Sequence, residues 1–181
     1  MYDGKIPKKR YQITLEFLKE VVPTDKKILD LGVANPFTSF MEEAGFDVEN
    51  TKGEDLDLDV SAVRDTDREV LTAFEILEHL VAPFTLLQES KARYLVASVP
   101  LKLWFASAYQ SKTDERDRHY HEFEDWQFDW LLEKAGWQII KRKKFTNPTR
   151  KLGIRPMLRR FTPRYYLVYA QRPSKGQLGN C

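Results

Sequence analysis

The stretch that decides the fold is ILDLGVANPFTSFMEEA, residues 28–44. Its first residues are apolar and predict a short buried strand that ends at Asp30. Gly32 then lets the backbone turn and approach a ligand closely, and Pro36 suits the first position of a helix. Gly45 is a typical residue for ending that helix. The stretch therefore predicts a strand, a tight turn and a helix, which is the beginning of a βαβ unit.

Helices and strands alternate on both sides of this stretch. An amphipathic helix over 11–22 comes first, because Ile13, Phe17 and Val21 recur at helical spacing. Further strands are predicted over 46–51, 55–60, 70–74, 93–100, 138–145 and 165–172, and further helices over 83–90 and 121–137.

This order predicts a mostly parallel sheet covered by helices. The last two strands have no predicted helix between them, which indicates an antiparallel hairpin. No segment is rich enough in Gly or Ser to separate domains. We therefore expect one α/β domain over 1–172 and a flexible tail over 173–181.

The composition restricts the class of protein. The chain has 181 residues, of which 42% are hydrophobic, and this suits one globular domain. Its single cysteine, Cys181, is the last residue, which excludes a disulfide framework and a cysteine-based zinc site. We expect a cytoplasmic protein, because the sequence has neither a long apolar run nor the apolar core of a signal peptide.

Charge is divided unevenly along the chain. All 27 acidic residues lie in residues 1–133, whereas 13 of the 29 Lys and Arg residues follow Glu133. Ten of these basic residues lie in the segment 141–164, among apolar ones. Such a segment indicates an anionic partner, which could be a phosphate-bearing acceptor, an anionic membrane or nucleic acid. Alternatively, it docks against the acidic part of its own domain. Nucleic acid is not favoured, because the segment contains no recognised RNA-binding motif.

The sequence resembles the class I S-adenosylmethionine-dependent methyltransferases, in particular the small type 11/12-like members. Residues 28–44 are similar to motif I of that family, an apolar strand followed by Asp/Glu-x-Gly-x-Gly. LTAFEILEHL at 71–80, YLVASVP at 94–100 and the helix–strand run over 122–145 resemble the family's later segments. The resemblance implies a Rossmann-like three-layer α/β/α sandwich. Its mostly parallel seven-stranded sheet would have the order 3-2-1-4-5-7-6 and an antiparallel last strand.

The resemblance also implies S-adenosylmethionine as cofactor. The residues expected to contact it are Asp30, Gly32, Val33, Ala34, Asn35, Asp55, Asp57, Asp59, Phe74 and Glu75. Ala34 departs from motif I, because it replaces the second glycine. The interval 51–54 is too short for the usual helix after the second strand, and the acidic residue expected at that strand's end is displaced. Glu54 or Asp55 would then bind the ribose hydroxyls.

Glu75, Glu78 and His79 follow the fourth predicted strand and share one face at helical pitch. Their spacing resembles that of two metal-dependent groups, the ubiquinone-pathway O-methyltransferases and the small-RNA 2′-O-methyltransferases. In the latter a later histidine completes the site, and His119 or His121 could do so here. Alternatively, no metal binds here, and the acidic side chains interact with a helix N-terminus and pack against the cofactor. His119 and His121 are also candidate catalytic bases, because histidine exchanges protons near neutral pH.

These observations predict a methyltransferase that acts on a small, anionic or lipid-linked acceptor. O-methylation is preferred because a candidate base is near, and C- or N-methylation stays open. The alternative is a non-catalytic methyltransferase-like module whose basic C-terminal segment binds an anionic partner. An NAD-dependent Rossmann enzyme is disfavoured, because the first turn lacks Gly-x-Gly-x-x-Gly.

Overall fold

The structure, a computed structural model, describes residues 7–114, 117–146 and 154–173. The helices are α1 (Lys8–Val21), α2 (Pro36–Glu43), α3 (Ser61–Arg64), α4 (Pro83–Glu89), α5 (Asp125–Lys134) and α6 (Ile154–Phe161). The strands are β1 (Lys27–Asp30), β2 (Asp47–Asn50), β3 (Val70–Phe74), β4 (Tyr94–Pro100), β5 (Gln138–Phe145) and β6 (Tyr165–Gln171). One turn of 3-10 helix, Leu77–His79, follows β3.

The strands form one sheet in the order β2-β1-β3-β4-β6-β5. β1 pairs in parallel with β2 and β3, and β3 pairs in parallel with β4. β6 is antiparallel to both of its neighbours, β4 and β5. The predicted Rossmann-like α/β sheet with an antiparallel last strand is therefore confirmed.

Apolar clusters on both faces of the sheet hold the three layers together. Ile28 and Leu29 are neighbours on β1 but belong to opposite clusters, as the alternation of side chains along a strand requires. The cluster beneath α1 and α2 contains Phe17, Leu18, Phe37, Met41, Ile28, Val70 and Val96. The cluster beneath α4 and α5 contains Leu86, Leu87, Phe128, Leu132, Leu29, Leu71, Leu95 and Val168.

The strand predicted over 55–60 does not form, so the described sheet has six strands and not seven. Residues 56–58 form a turn, because the aspartates of this segment accept hydrogen bonds from backbone amides, and these bonds compete with strand pairing. Asp55 accepts from the amide of Asp57, and Asp59 accepts from that of Ser61. Leu56 is buried and Val60 packs against the core, but Leu58 is 86% exposed, so the three alternating apolar residues do not share one buried face.

Two further predictions are corrected. The helix predicted over 121–137 is shorter, since α5 begins at Asp125, and Trp126 and Trp130 on it are each 56% exposed. A helix, α6, separates the last two strands, where none was predicted.

No helix in the described ranges is both long and apolar enough to cross a membrane. The predicted single domain over 1–172 stays a prediction. Apart from Pro173, the predicted flexible tail lies outside the described residues, as do residues 147–153 of the basic segment.

Candidate active site

Two cavities lie where the parallel strands β1, β3 and β4 end. The first, of about 190 Å³, lies against the turn after β1 and is lined by Asp30, Gly32 and Phe74 among others. The second, of about 570 Å³, is lined by Glu78, His79 and His119 among others. Arg10 and Glu75 line both. Ligands of parallel α/β sheets bind at this edge, so the cavities form one candidate active site.

Asp30 is held inside the end of the sheet. It is buried, and its Oδ1 accepts a hydrogen bond of 2.6 Å from the Thr72 hydroxyl on β3. Its Oδ2 accepts one of 3.0 Å from the Asn50 amide on β2. Burial raises the pKa of Asp30 to about 7, although both hydrogen bonds act in the opposite direction. The carboxyl therefore links the ends of three strands at the floor of the first cavity.

Gly32 makes the turn after β1 with a φ of +100°, a conformation that side chains rarely adopt. Its amide donates to the Thr51 hydroxyl at 2.7 Å, and its carbonyl accepts from the Asn50 amide at 3.1 Å. A Cβ at this position would lie 3.3 Å from Cδ1 of Ile76. The turn thus needs glycine both for its conformation and for the space it leaves.

The next three residues complete the turn. Val33 and Ala34 are exposed, and Ala34 does not line the first cavity, so its methyl group leaves that cavity open. Asn35 is the N-cap of α2. Its side-chain oxygen accepts from the backbone amide of Phe37 at 2.8 Å, and its own backbone amide donates to the Thr38 hydroxyl. Contact of these residues with a cofactor stays a prediction.

The acidic residues predicted to bind the cofactor after β2 accept hydrogen bonds from backbone amides of the loops. Both carboxylate oxygens of Asp57 accept backbone hydrogen bonds from residues 81–82, at 2.7 and 2.9 Å. Asp55 and Asp59 make the turn contacts described above, and Glu54 accepts from the Lys52 amide. None of the four lines the first cavity, although Glu54 and Asp59 line a neighbouring one. The residue at the end of β2 is Asn50, which the sequence did not single out.

Phe74 and Glu75 lie at the end of β3, beside both cavities. Glu75 has a φ of +57°, the one positive value among the described residues other than glycine, and such strain is common at functional sites. Its carboxylate accepts from the Ser98 hydroxyl at 2.8 Å and forms an ion pair with Arg10 at 3.4 Å. Burial raises the pKa of Glu75, and Arg10 opposes that shift.

Glu78 is the most buried acid of the site. Its side chain is 1% exposed, and its Oε2 has no hydrogen-bond partner. Burial, followed by repulsion from Glu75, raises the pKa of Glu78 well above its usual value. A buried carboxylate oxygen without a partner is costly, unless a ligand or an ion binds to it.

His79 and His119 lie beside Glu78. His79 Nδ1 lies 3.0 Å from the Arg118 carbonyl, and His119 Nδ1 lies 3.0 Å from a carboxylate oxygen of Glu122. These oxygens favour a proton on Nδ1 of each ring and leave each Nε2 as an acceptor. Burial lowers the pKa of His119, which favours its neutral form.

A group of three side chains has the geometry of a cation site, because its candidate ligand atoms all lie within 4.8 Å of one another. The three residues are Glu78, His79 and His119. Of the predicted metal ligands, Glu75 is not part of this group but lines the same cavity. His121 is not part of it either. Its Nε2 lies 3.3 Å from the Val81 carbonyl, and its ring stacks on Phe123.

Several lining residues were not predicted as site residues. Arg10 comes from α1, Ser98 from β4, and Arg164, the last residue of the basic segment, directly precedes β6, so only the tertiary structure brings them together. Arg164 donates to the Leu101 carbonyl at 2.7 Å, and this bond holds the loop after β4 against β6.

Structural comparison finds the same architecture in proteins of low sequence identity. A SAM-dependent methyltransferase from Archaeoglobus fulgidus is 18% identical, with a TM-score of 0.53 over 90% of this chain and 94% of that one. One from Methanosarcina mazei is 13% identical, with a TM-score of 0.55 over 86% and 96%. The N-terminal domain of EvdMO1, in the presence of S-adenosylhomocysteine and D-fucose, is 12% identical, with a TM-score of 0.52 over 95% and 85%. No family model and no curated relative matches the sequence.

At such identities structural likeness establishes the fold. The observed strand order matches the order that the sequence resemblance implies, except that the family's third strand is missing from the described sheet. The chain has the fold of the class I S-adenosylmethionine-dependent methyltransferases.

Proposed function

We propose that this protein is an S-adenosylmethionine-dependent methyltransferase acting on a hydroxyl group of a small, anionic acceptor. The observation that carries the proposal is the pair of adjoining cavities that share Glu75 and Arg10. One cavity lies against the Gly32 turn and suits the cofactor, and the other contains ionisable groups and suits the acceptor. The fold and its methyltransferase neighbours support this assignment.

The cofactor supplies a methyl group that is already activated on a sulfonium. The backbone around Gly32 would contact its methionine end, and the acidic loop over 54–59 would lie towards the nucleoside. Glu75, whose carboxylate pairs with Arg10, lies at the boundary of the two cavities, where the methyl group would pass from one to the other. The main task of the protein is orientation, which contributes roughly 7–11 kcal/mol when reacting atoms are held in line.

Deprotonation of the acceptor would fall to His119. Its ring is fixed by Glu122 through Nδ1, so that the unprotonated Nε2 can accept the hydroxyl proton. Burial, by lowering the pKa of His119, keeps this nitrogen free at neutral pH. Arg10 and Arg164 line the same cavity beside the carboxylates of Glu75, Glu78, Asp114 and Asp117, and their guanidinium groups would be the donors for an anionic group of the acceptor.

A divalent cation is the second way to acidify the hydroxyl group of the acceptor. The residues beside His119 could bind such a cation. The orphaned Oε2 of Glu78 and the Nε2 atoms of His79 and His119 are suitable donors, and this nitrogen-rich set suits Mn²⁺, Fe²⁺ or Zn²⁺ better than Mg²⁺. A bound cation would supply Lewis acidity for the acceptor oxygen. His119 would then act as a ligand and not as the base.

The first experiment is calorimetric titration of the full chain with S-adenosylhomocysteine. We expect saturable binding and a rise in Tm. Absence of both at millimolar ligand would contradict the proposal and favour the alternative of a non-catalytic binding module. Where binding is observed, release of S-adenosylhomocysteine from S-adenosylmethionine would be measured with phenolic and phosphorylated hydroxyl compounds as acceptors.

A further inference from the structure

A surface at the same edge of the sheet combines exposed apolar side chains with arginines. The loop after β4 and helix α6 before β6 meet at this edge, because Pro100 at the end of β4 pairs with Tyr165 at the start of β6. Leu103 of the loop and Arg159 of α6 line one cavity of about 290 Å³. The loop and the helix are therefore neighbours in space.

The loop places an aromatic side chain at the tip of a turn. The amide of Ala106 donates to the Leu103 carbonyl at 3.0 Å, which closes the turn and leaves Trp104 and Phe105 at its tip. Trp104 is 77% exposed, and its ring contacts that of Phe105 edge to face. The indole thus extends from the protein into solvent.

The helix adds two apolar side chains to this surface. Met157 and Phe161 are one helical turn apart, and they are 57% and 77% exposed. Residues at this spacing share a face, so they form an apolar strip on α6. Arg160 is also exposed, and at helical pitch it lies at the border of that strip.

Positive charge on this surface comes from Arg159 and Arg160. Neither forms an ion pair within the described ranges, although Glu122 lines the same cavity as Arg159. Exposed aromatic and aliphatic side chains beside arginines match the boundary between phosphate headgroups and acyl chains. A tryptophan on a turn tip suits insertion at that depth, because the indole is apolar but carries one hydrogen-bond donor.

We propose that Trp104, Met157, Arg160 and Phe161 form a docking surface for an anionic phospholipid bilayer. The apolar side chains enter the headgroup boundary, and the arginine binds lipid phosphate. Docking requires neither cofactor nor methyl transfer.

Docking would also bring lipid to the acceptor side of the molecule. The cavity between Leu103 and Arg159 shares Tyr109 and Arg164 with the cavity that contains His119. If the proposed function is correct, a headgroup or a lipid-linked acceptor reaches the transfer site without leaving the bilayer. This last step rests on the proposed function, whereas the docking surface itself does not.

The test is co-sedimentation of the full chain with vesicles, without cofactor. The vesicles are phosphatidylcholine alone, or phosphatidylcholine mixed with phosphatidylglycerol in equal parts. We expect binding to the mixed vesicles that weakens with salt. Trp104→Ala and Phe161→Ala should each reduce the partition coefficient at least about tenfold. Arg160→Glu should reduce it about fivefold or more.

Two matched controls distinguish docking at this surface from nonspecific hydrophobic adsorption and from nonspecific electrostatic attraction. Trp130→Ala removes an equally large, exposed side chain from α5. Lys91→Glu reverses an exposed charge just before β4, at the opposite edge of the sheet. Both variants should bind the mixed vesicles like the unmodified chain, and every variant is checked for an unchanged melting curve.

The proposal is overturned if the unmodified chain does not sediment with the mixed vesicles, or if Trp104→Ala and Trp130→Ala reduce sedimentation equally. Binding of single-stranded RNA that Arg160→Glu abolishes, without vesicle binding, would identify a nucleic-acid surface instead. Because the assay contains no cofactor, its outcome is independent of S-adenosylhomocysteine titration. Failure of docking and failure of the proposed function are therefore distinguishable.

Discussion

The imidazole rings of His79 and His119 meet edge to face, with their centroids 4.9 Å apart. His79 lies in the 3-10 turn after β3, and His119 lies in the loop before α5, so the contact joins two distant parts of the sequence. The buried carboxylate of Glu78 lies beside both. This arrangement has direct consequences for cation binding.

We expect His119→Ala to weaken Mn²⁺ binding about tenfold or more, because it removes one of three candidate ligands. His121→Ala is the matched control, since His121 lies two residues away but outside the group. Binding is measured by titration of Mn²⁺ with electron paramagnetic resonance, which detects the free ion. Equal affinities of the two variants, or no Mn²⁺ binding by the unmodified chain, would contradict a cation site that includes His119.

Gly32→Ala is expected to weaken S-adenosylhomocysteine binding at least about tenfold, because the turn must change both its positive φ and its contact with Ile76. Gly45→Ala is the control. Gly45 has a similar φ of +93°, but nothing lies within 4 Å of its added Cβ, and it follows α2 at the other end of that helix. Both variants should lose roughly 1–2 kcal/mol of stability, and only the first should lose affinity. Unchanged affinity in Gly32→Ala would contradict the placement of the cofactor.

Asp30 should make the stability of the fold depend on pH. Its pKa is about 7 in the folded protein, against 3.8 for an unperturbed aspartate, because it is buried. Between these values the folded chain holds a proton that the unfolded chain has released, so the free energy of unfolding falls as pH rises from about 4 to about 7. Asp30→Asn imitates the protonated carboxyl and should flatten this dependence. Urea unfolding across this range measures it, and parallel profiles for the two proteins would refute the prediction.

Arg172 is expected to be important for stability. Its guanidinium donates to the carbonyls of Leu87, Gln88, Ser90 and Ala135, and lies over the Trp137 ring at 4.5 Å. Arg172→Ala should cost about 2–4 kcal/mol, because the partly buried carbonyls of Ser90 and Ala135 lose a charged donor, and the Leu87 carbonyl keeps only the Trp137 indole. Arg172→Lys should recover only part of this loss, since an ammonium cannot reach all four carbonyls with the same planar geometry.

Chemical unfolding of the two Arg172 variants measures these costs. Arg142→Ala serves as a comparison, because Arg142 forms an exposed ion pair with Asp129 that should contribute under about 1 kcal/mol. A loss from Arg172→Ala no larger than that from Arg142→Ala would show that the four hydrogen bonds contribute little.

The sequence by itself determined the elements whose signals are local. The apolar run before Asp30 predicted β1, Pro36 predicted the start of α2, and Gly45 predicted its end, because each signal depends on near neighbours in the chain. Motif resemblance likewise predicted the Gly32 turn and the parallel sheet around it.

Only the tertiary structure decided which distant groups meet. It paired Asp30 with Asn50 and Thr72, and it placed His119 but not His121 beside Glu78. The strand predicted over 55–60 does not form in the tertiary structure, since the Asp57 carboxylate accepts hydrogen bonds from the backbone amides of residues 81–82. The physical reason is that a helix or strand signal arises from adjacent residues. A hydrogen bond between loops forms only after the sheet has brought the loops together.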